Sequence, residues 1–229
     1  MDDIHFLIYY LIINTGFILS ILSILFILVN SRMQNTLFGG EEIQPTETLD
    51  EINQELLEKA KAIPALANRL FVFGEGEPGV RVAVVGESPG APDAQTGRPF
   101  MGPAGEMLVK ILGSIGLKRE DCYLTNTVKY ISAGDEMTPD ILGFFIPYLH
   151  RELAAVHPEI VIAFGNTPMR ALLNTKKGIT QMRGEFHDYL GMKLMPTFNP
   201  AYLLRDPTKK REVWEDMKRV RAALDMLAS

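Results

Sequence analysis

The chain has 229 residues, which at about 100–200 residues per domain allows one domain and an appendage. Apolar residues make up 47%, charged residues 22%, and 14 residues are proline, a globular composition rather than a disordered or collagen-like one. A single cysteine, Cys122, excludes an internal disulfide and any multi-cysteine zinc or iron–sulfur site; four histidines (His5, His150, His157, His187) lack metal-ligand spacing; and a net charge of −5 excludes a strongly basic nucleic-acid coat, though not a small basic groove.

Ile4 to Val29 holds 26 residues, twenty of them apolar and none Asp, Glu, Lys or Arg. At 1.5 Å per residue such a helix crosses a bilayer core of about 30 Å. Asp2 and Asp3 precede it and Arg32 follows, so the positive-inside rule places the remainder in the cytoplasm. A signal peptide fits poorly, because the start lacks Lys and Arg, the apolar run is too long and no A-x-A site follows. A second reading stands beside the anchor: Met33 opens a natural-looking start, and residues 1–32 are then upstream sequence read through from a misplaced start codon. The expected organisation is a hydrophobic segment at 1–32, a linker at 33–47 and a folded domain at 48–229.

In the folded part, Thr48-Leu-Asp-Glu51 is a capping box that predicts a helix from about Leu49 to Ile63. Val80 to Val85 reads as a buried strand, Gly102 to Gly116 as a helix and Cys122 to Tyr130 as a second strand. Thr138-Pro139 opens a helix to about His157, with Pro147 a candidate kink or break. Glu159 to Phe164 is a third strand, Asn166 to Asn174 a helix, Lys193 to Phe198 a fourth strand, and Lys209 to Ala228 a final amphipathic helix. Strands alternating with helices predict a three-layer α/β/α sandwich around a mostly parallel four-stranded sheet. Such sheets carry their sites at the carboxyl ends of the strands.

Three segments after strands hold the unusual chemistry. Gly86-Glu-Ser-Pro-Gly90 reads as a tight loop that lets a ligand approach the backbone, and it continues as a long loop to Gly105. The loop brings Glu87 and Asp93 near Phe100, and carboxylates beside an aromatic wall suit a site that holds a flat ring and activates water. Asn126, ending the second strand, can donate and accept at once, as reading a pyrimidine edge requires. After the fourth strand, Asn199-Pro200-Ala-Tyr202-Leu203-Leu-Arg205 places apolar residues beside a cation, an arrangement suited to insertion into DNA; a helix start packing its leucines inward is the plainer reading. Lys209, Lys210, Arg211, Lys218, Arg219 and Arg221 form a basic cluster, read as a solvated face or a phosphate track. Gly74-x-Gly76-x-x-Gly79 matches a dinucleotide fingerprint by letter, but it precedes a strand and no helix follows, so it is read as a turn.

Together these residues resemble the uracil-DNA glycosylase superfamily, its family 4 most closely. GESPGAPDAQTGRPFMGPAGEML (86–108) is similar to that family's first motif throughout; LTNTVKY (124–130), PTFNPAYLLR (196–205) and FVFGEG (71–76) follow its order and spacing. The resemblance implies hydrolysis of the N-glycosidic bond of uracil in DNA. It implies that Phe100 stacks on the extruded base and Asn126 reads its edge. Gly86, Ser88, Pro89 and Gly90 complete the uracil pocket, with Glu87 and Asp93 around the anomeric carbon. It further implies that Asn199 stands where a histidine donates to the leaving base, that Leu203 is the wedge, and that Pro200, Tyr202 and Arg205 meet DNA. The family's 4Fe–4S cluster is not expected, since two of its cysteine positions are Tyr130 and Phe145 and no other cofactor or metal is implied. The expected partner of this monomer is uracil-containing DNA. Two alternatives stay open: a non-catalytic relative that binds uracil or abasic DNA, and a tethered domain that binds another nucleobase.

Overall fold

A computed structural model describes residues 47–131 and 137–228. The hydrophobic segment 1–32 and the linker up to residue 46 lie outside the described residues. Among the described residues no helix is long and apolar enough to cross a membrane.

The capping box forms as the sequence predicts and opens α1 (Leu49–Lys61). Glu51 donates its N–H to Thr48 Oγ1 at 3.2 Å, and Thr48 donates its N–H to Glu51 Oε2 at 2.8 Å. Four strands follow close to their expected places: β1 (Val82–Gly86), β2 (Cys122–Asn126), β3 (Ile160–Phe164) and β5 (Met192–Thr197). They pair in parallel in the order β2-β1-β3-β5. β-branched and other apolar residues bury these strands on both faces, as a covered parallel sheet requires. Helices α3 (Pro103–Gly113), α7 (Pro200–Arg205) and α8 (Lys210–Leu227) pack together on one side of the sheet. Helices α4 (Pro139–Val156) and α5 (Asn166–Leu173), with α1 against α4, form the other layer, and the single turn α6 (Ile179–Met182) follows α5.

Four expectations need correction. The sheet has five strands, because β4 (His187–Tyr189) pairs antiparallel with β5. Its two-residue turn puts Leu190 at φ 51° and Gly191 at φ 84°, and a leucine in a turn of this kind carries no sequence signal. The long loop after β1 contains α2 (Ala91–Thr96), which its glycines and prolines concealed; Pro at the start of a helix favours it. The second strand stops at Asn126 instead of reaching Tyr130. Pro147 does not interrupt α4, since burial of Phe145, Tyr148 and Leu149 around it outweighs the one lost hydrogen bond.

The Gly74-to-Gly79 segment does not approach a dinucleotide site. Residues 71–75 run antiparallel along the outer edge of β2, bridging Phe71 to Tyr130 and Glu75 to Leu124. They cover an edge that would otherwise expose unpaired backbone groups. A second apolar cluster forms behind this edge, where α1 meets α4. Its centre is aromatic: Tyr130 and Phe145 lie 5.9 Å apart between centroids, Phe144 meets Phe145 edge-on at 5.0 Å, and Phe71 flanks both. Arg69 caps the Tyr130 ring at 5.1 Å.

Two measurements test this packing. Phe145→Ala opens the aromatic cluster and lowers unfolding free energy by about 3–5 kcal/mol in a denaturant titration. A loss below 1 kcal/mol on that scale would show that the cluster is not a staple. Separately, burial lowers His150 from 6.5 to about 4, and its Nδ1 lies 2.5 Å from the Tyr189 hydroxyl. The unfolded chain therefore binds the extra proton first. This contribution to stability is complete above pH 6.5 and is lost as pH falls toward 4. The melting temperature of His150→Asn should change less over that window than that of the wild type, and equal slopes would refute the assignment.

Candidate active site at the strand ends

The chain connections reverse direction between β1 and β3, so the crevice at the carboxyl ends of these strands is the topological switch point. Glu87 follows β1 and Thr167 follows β3. Thr167 Oγ1 donates to Glu87 Oε2 at 2.7 Å, which fixes the carboxylate at the crevice. Thr167 carries no sequence signal of its own, because the carboxylate it holds lies 80 residues away.

Phe100 and Asn126 meet over Gly86. A Cβ on Gly86 would collide with Asn126 Oδ1 and lie 2.7 Å from Cζ of Phe100. Only a residue without a side chain leaves this space to both groups. Asn126 is 3% exposed, and its Nδ2 has no hydrogen-bond partner among the described residues. A buried, unpartnered amide is costly in a finished core and useful where a ligand will supply the acceptor. Phe100 adopts a left-handed backbone with φ 57°, uncommon for an aromatic residue and a mark of imposed strain.

The strain at Phe100 is held by two networks. Asp93 is buried, and both of its carboxylate oxygens accept backbone hydrogen bonds: Oδ2 from Gly90 N–H at 3.0 Å and Oδ1 from Met101 N–H at 2.7 Å. Asp93 thus ties the two ends of the loop, with Phe100 between them. On the other side, Arg119 donates to the carbonyls of Pro99 at 2.5 Å and Phe100 at 3.1 Å. Glu75 holds Arg119 at 2.9 Å and clasps Arg98 through two bonds. The hydrogen bond from Arg98, together with Arg119, lowers the Glu75 carboxyl to about 2, so it is ionised over the working range. Neither Glu75 nor Arg119 stood out in the sequence, because their partners are distant along the chain.

Ser88 is half-buried, Pro89 is buried and Gly90 caps α2, so the 86–90 turn stays compact. Asn199 caps α7: its Oδ1 accepts from Ala201 N–H at 2.8 Å, while Nδ2 donates to the Phe164 carbonyl at 3.3 Å. Both ends of this amide are engaged within the protein. Pro200 is buried as the first residue of α7, and Tyr202 donates its hydroxyl to Asp206 at 3.2 Å. Leu203 does not reach outward as the resemblance implies. It is 1% exposed in the main core, whereas Leu204 is 45% exposed and Arg205 is exposed beside it. The helical turn of α7 sends successive leucines to different faces, so one packs and the next projects. Much of the basic cluster is internally paired: Lys209 with Glu212, Lys218 with Glu215, Arg221 with Asp225, and Arg219 donating to the Gly184 carbonyl.

A four-cysteine cluster does not fit this chain. Rings occupy positions 130 and 145, and the one cysteine, Cys122, is buried in the core with its thiol pushed up to about 12. Among the described residues no group of three or more His, Cys, Asp or Glu side chains could hold a metal ion.

Comparison with known proteins covers the same part of the chain. The profile of the Uracil DNA glycosylase superfamily matches residues 73–218. The Type-4 uracil-DNA glycosylase of Thermotoga maritima is 37% identical over 182 residues, which cover 77% of this chain and 95% of that protein. The Type-4 enzyme of Archaeoglobus fulgidus is 29% identical, covering 76% and 92%, and that of Saccharolobus solfataricus is 34% identical, covering 67% and 76%. The matched span holds all five strands, Phe100 with Asn126 over Gly86, and the Asn199 turn. On this match the chain belongs to the uracil-DNA glycosylase superfamily.

Proposed function

We propose that this chain is a DNA-repair glycosylase that hydrolyses the N-glycosidic bond of uracil in DNA. The observation that carries the reading is the buried, unpartnered Asn126 amide beside the Phe100 ring, at the space left by Gly86. A uracil cannot reach such a site inside a duplex, so its nucleotide is flipped out, at a cost of a few kcal/mol. The ring then stacks on Phe100, and Asn126 donates to and accepts from its edge; cytosine presents the reversed pattern. As the C1′–N1 bond breaks, the sugar takes on oxocarbenium character and uracil leaves with the electron pair. The Glu87 carboxylate, held by Thr167, faces the developing positive charge and orients the water that bonds to C1′; the proton this water loses balances the uracil anion, which ends as neutral uracil. Asp93 acts by fixing the loop, not by touching the sugar. Leu204 takes the wedge role, because it is the leucine of the pair that projects.

Asn199 sets the rate. One hydrogen of its Nδ2 is directed to the Phe164 carbonyl, and the other is left to meet uracil O2. A neutral amide stabilises a departing anion less than a charged donor does. The same engagement of Asn199 favours the second reading, a relative that binds uracil or abasic DNA without releasing base.

A uracil-containing oligonucleotide separates the two. Hydrolysis gives alkali-labile breaks at uracil, abolished by Phe100→Ala and by Asn126→Ala. Asn199→His raises the rate, since one missing donor costs about 10²–10³-fold in such sites. Leu204→Ala slows cleavage of duplex more than of single strands, and Leu203→Ala lowers stability instead. Intact substrate at high enzyme concentration, with retained binding, establishes the non-catalytic reading. A panel with hypoxanthine and xanthine defines the preferred base.

For residues 4–29 both readings stand: a membrane anchor with the domain on the cytoplasmic side, or upstream sequence ahead of a start at Met33. Fractionation of the native protein, with mass determination of its amino terminus, separates them. A soluble chain that begins at Met33 removes the anchor.

A further inference from the structure

Lys129 is entirely buried, and so is its partner Glu152. The ammonium donates to Thr125 Oγ1 at 2.6 Å, to the Asn126 carbonyl at 2.7 Å and to Glu152 Oε2 at 2.7 Å. Its three donors meet three acceptors, so the group is saturated. Glu152 Oε2 also accepts from Thr125 Oγ1 at 3.0 Å and from the Tyr123 hydroxyl at 3.4 Å, while Oε1 is buried without a partner. Glu152 is carried by α4, so the helix that packs the aromatic cluster also fixes this ion pair.

A buried pair of this kind is a poor route to stability, because well-packed apolar residues often do as well. What apolar residues cannot do is hold a carbonyl. Asn126 is the last residue of β2, and beyond it the chain leaves the ladder. The peptide plane between residues 126 and 127 is gripped at both ends. Lys129 takes the Asn126 carbonyl, and the Thr127 N–H donates to the Gly86 carbonyl at 2.8 Å. Val128 N–H then donates to the Glu87 carbonyl at 3.0 Å, which ties the turn to the other strand end of the site. The side-chain Nδ2 of Asn126 has no hydrogen-bond partner among the described residues to fix its direction. Its aim is therefore set by the backbone that Lys129 and Gly86 clamp.

We propose that Lys129, paired with Glu152, is a positioning residue for base recognition: its grip on the Asn126 carbonyl aims the Asn126 amide at the extruded base. The proposal rests on the glycosylase reading above. Without Lys129 the Asn126 carbonyl is left buried and unpaired, the peptide plane rotates to find a partner, and the amide swings with it.

The single variant Lys129→Met leaves the Glu152 charge buried alone and can fail to fold. The test therefore uses the full chain carrying both Lys129→Met and Glu152→Gln, which leaves no unpaired charge. We expect a cooperative unfolding transition near that of the wild type and faster hydrogen exchange at the Thr127 and Val128 amides. Single-turnover uracil release should fall on the order of 10²-fold, as for a displaced positioning contact, with the affinity for uracil-containing duplex unchanged. A folded double variant that releases uracil at the wild-type rate, or that loses rate with Thr127 still fully protected, overturns the proposal. If the wild type releases no uracil, the glycosylase reading fails instead. The clamp is then judged by free uracil, whose perturbation of the Asn126 side-chain amide resonances should be present in the wild type and lost in the double variant.

Discussion

Two side chains from distant parts of the sequence, Phe100 and Asn126, share one small volume at the carboxyl end of β1, and residue 86 has no side chain to contest it. Every other element of the site is arranged around that constraint. The parallel register sets Gly86 beside Asn126, so the amide enters from the neighbouring strand. Phe100 enters from a loop bent back over the same point, in a backbone conformation that an aromatic residue seldom adopts unaided. A larger residue at 86 would displace one ring and one amide together, although the sheet beneath them remained intact.

Such an arrangement needs rigid support, because an unpartnered buried amide otherwise turns inward to satisfy itself. The support comes as charged groups bonded to backbone atoms. Asp93 joins Gly90 to Met101, Arg119 holds the carbonyls of Pro99 and Phe100, and Lys129 holds the carbonyl of Asn126. In each case the ionic group grips the chain and leaves the Phe100 ring or the Asn126 side-chain amide without a bond to it. Charge-assisted bonds suit this task, being shorter and stronger than neutral ones.

The sequence made the four parallel strands legible because continuous apolar runs admit few alternatives; Glu87 and Phe100 stand out in a segment dense in glycine and proline, and Asn126 as a polar residue closing a strand. What it hid has specific causes. The β4 hairpin turns through leucine instead of Asn-Gly, and α2 lies within residues that read as loop. Leu203 and Leu204 are indistinguishable by type, and only the direction each takes from α7 separates the packed one from the projecting one. Thr167 and Arg119 act through partners 80 and 19 or more residues away, distances at which pattern carries no information. Asp93 was legible as a carboxylate at the site, but its work on two backbone amides was not.

The aromatic cluster and the Asn199 turn pull in different directions. Tyr130 and Phe145, at positions where the family resemblance implies cysteines, lie close enough to pack against each other and against Phe71. Dispersion and desolvation at that point do the mechanical work of joining the 71–75 edge to α4 without a metal bond, and a helix so anchored still carries Glu152 to Lys129. The scaffold beneath Asn126 is therefore preserved by different chemistry. No equivalent compensation surrounds residue 199. The amide there satisfies α7 and the end of β3, and it brings no charge to the crevice. The two sides of the crevice are thus supported by different chemistry: a charge-gripped backbone at Asn126 and a neutral helix cap at Asn199.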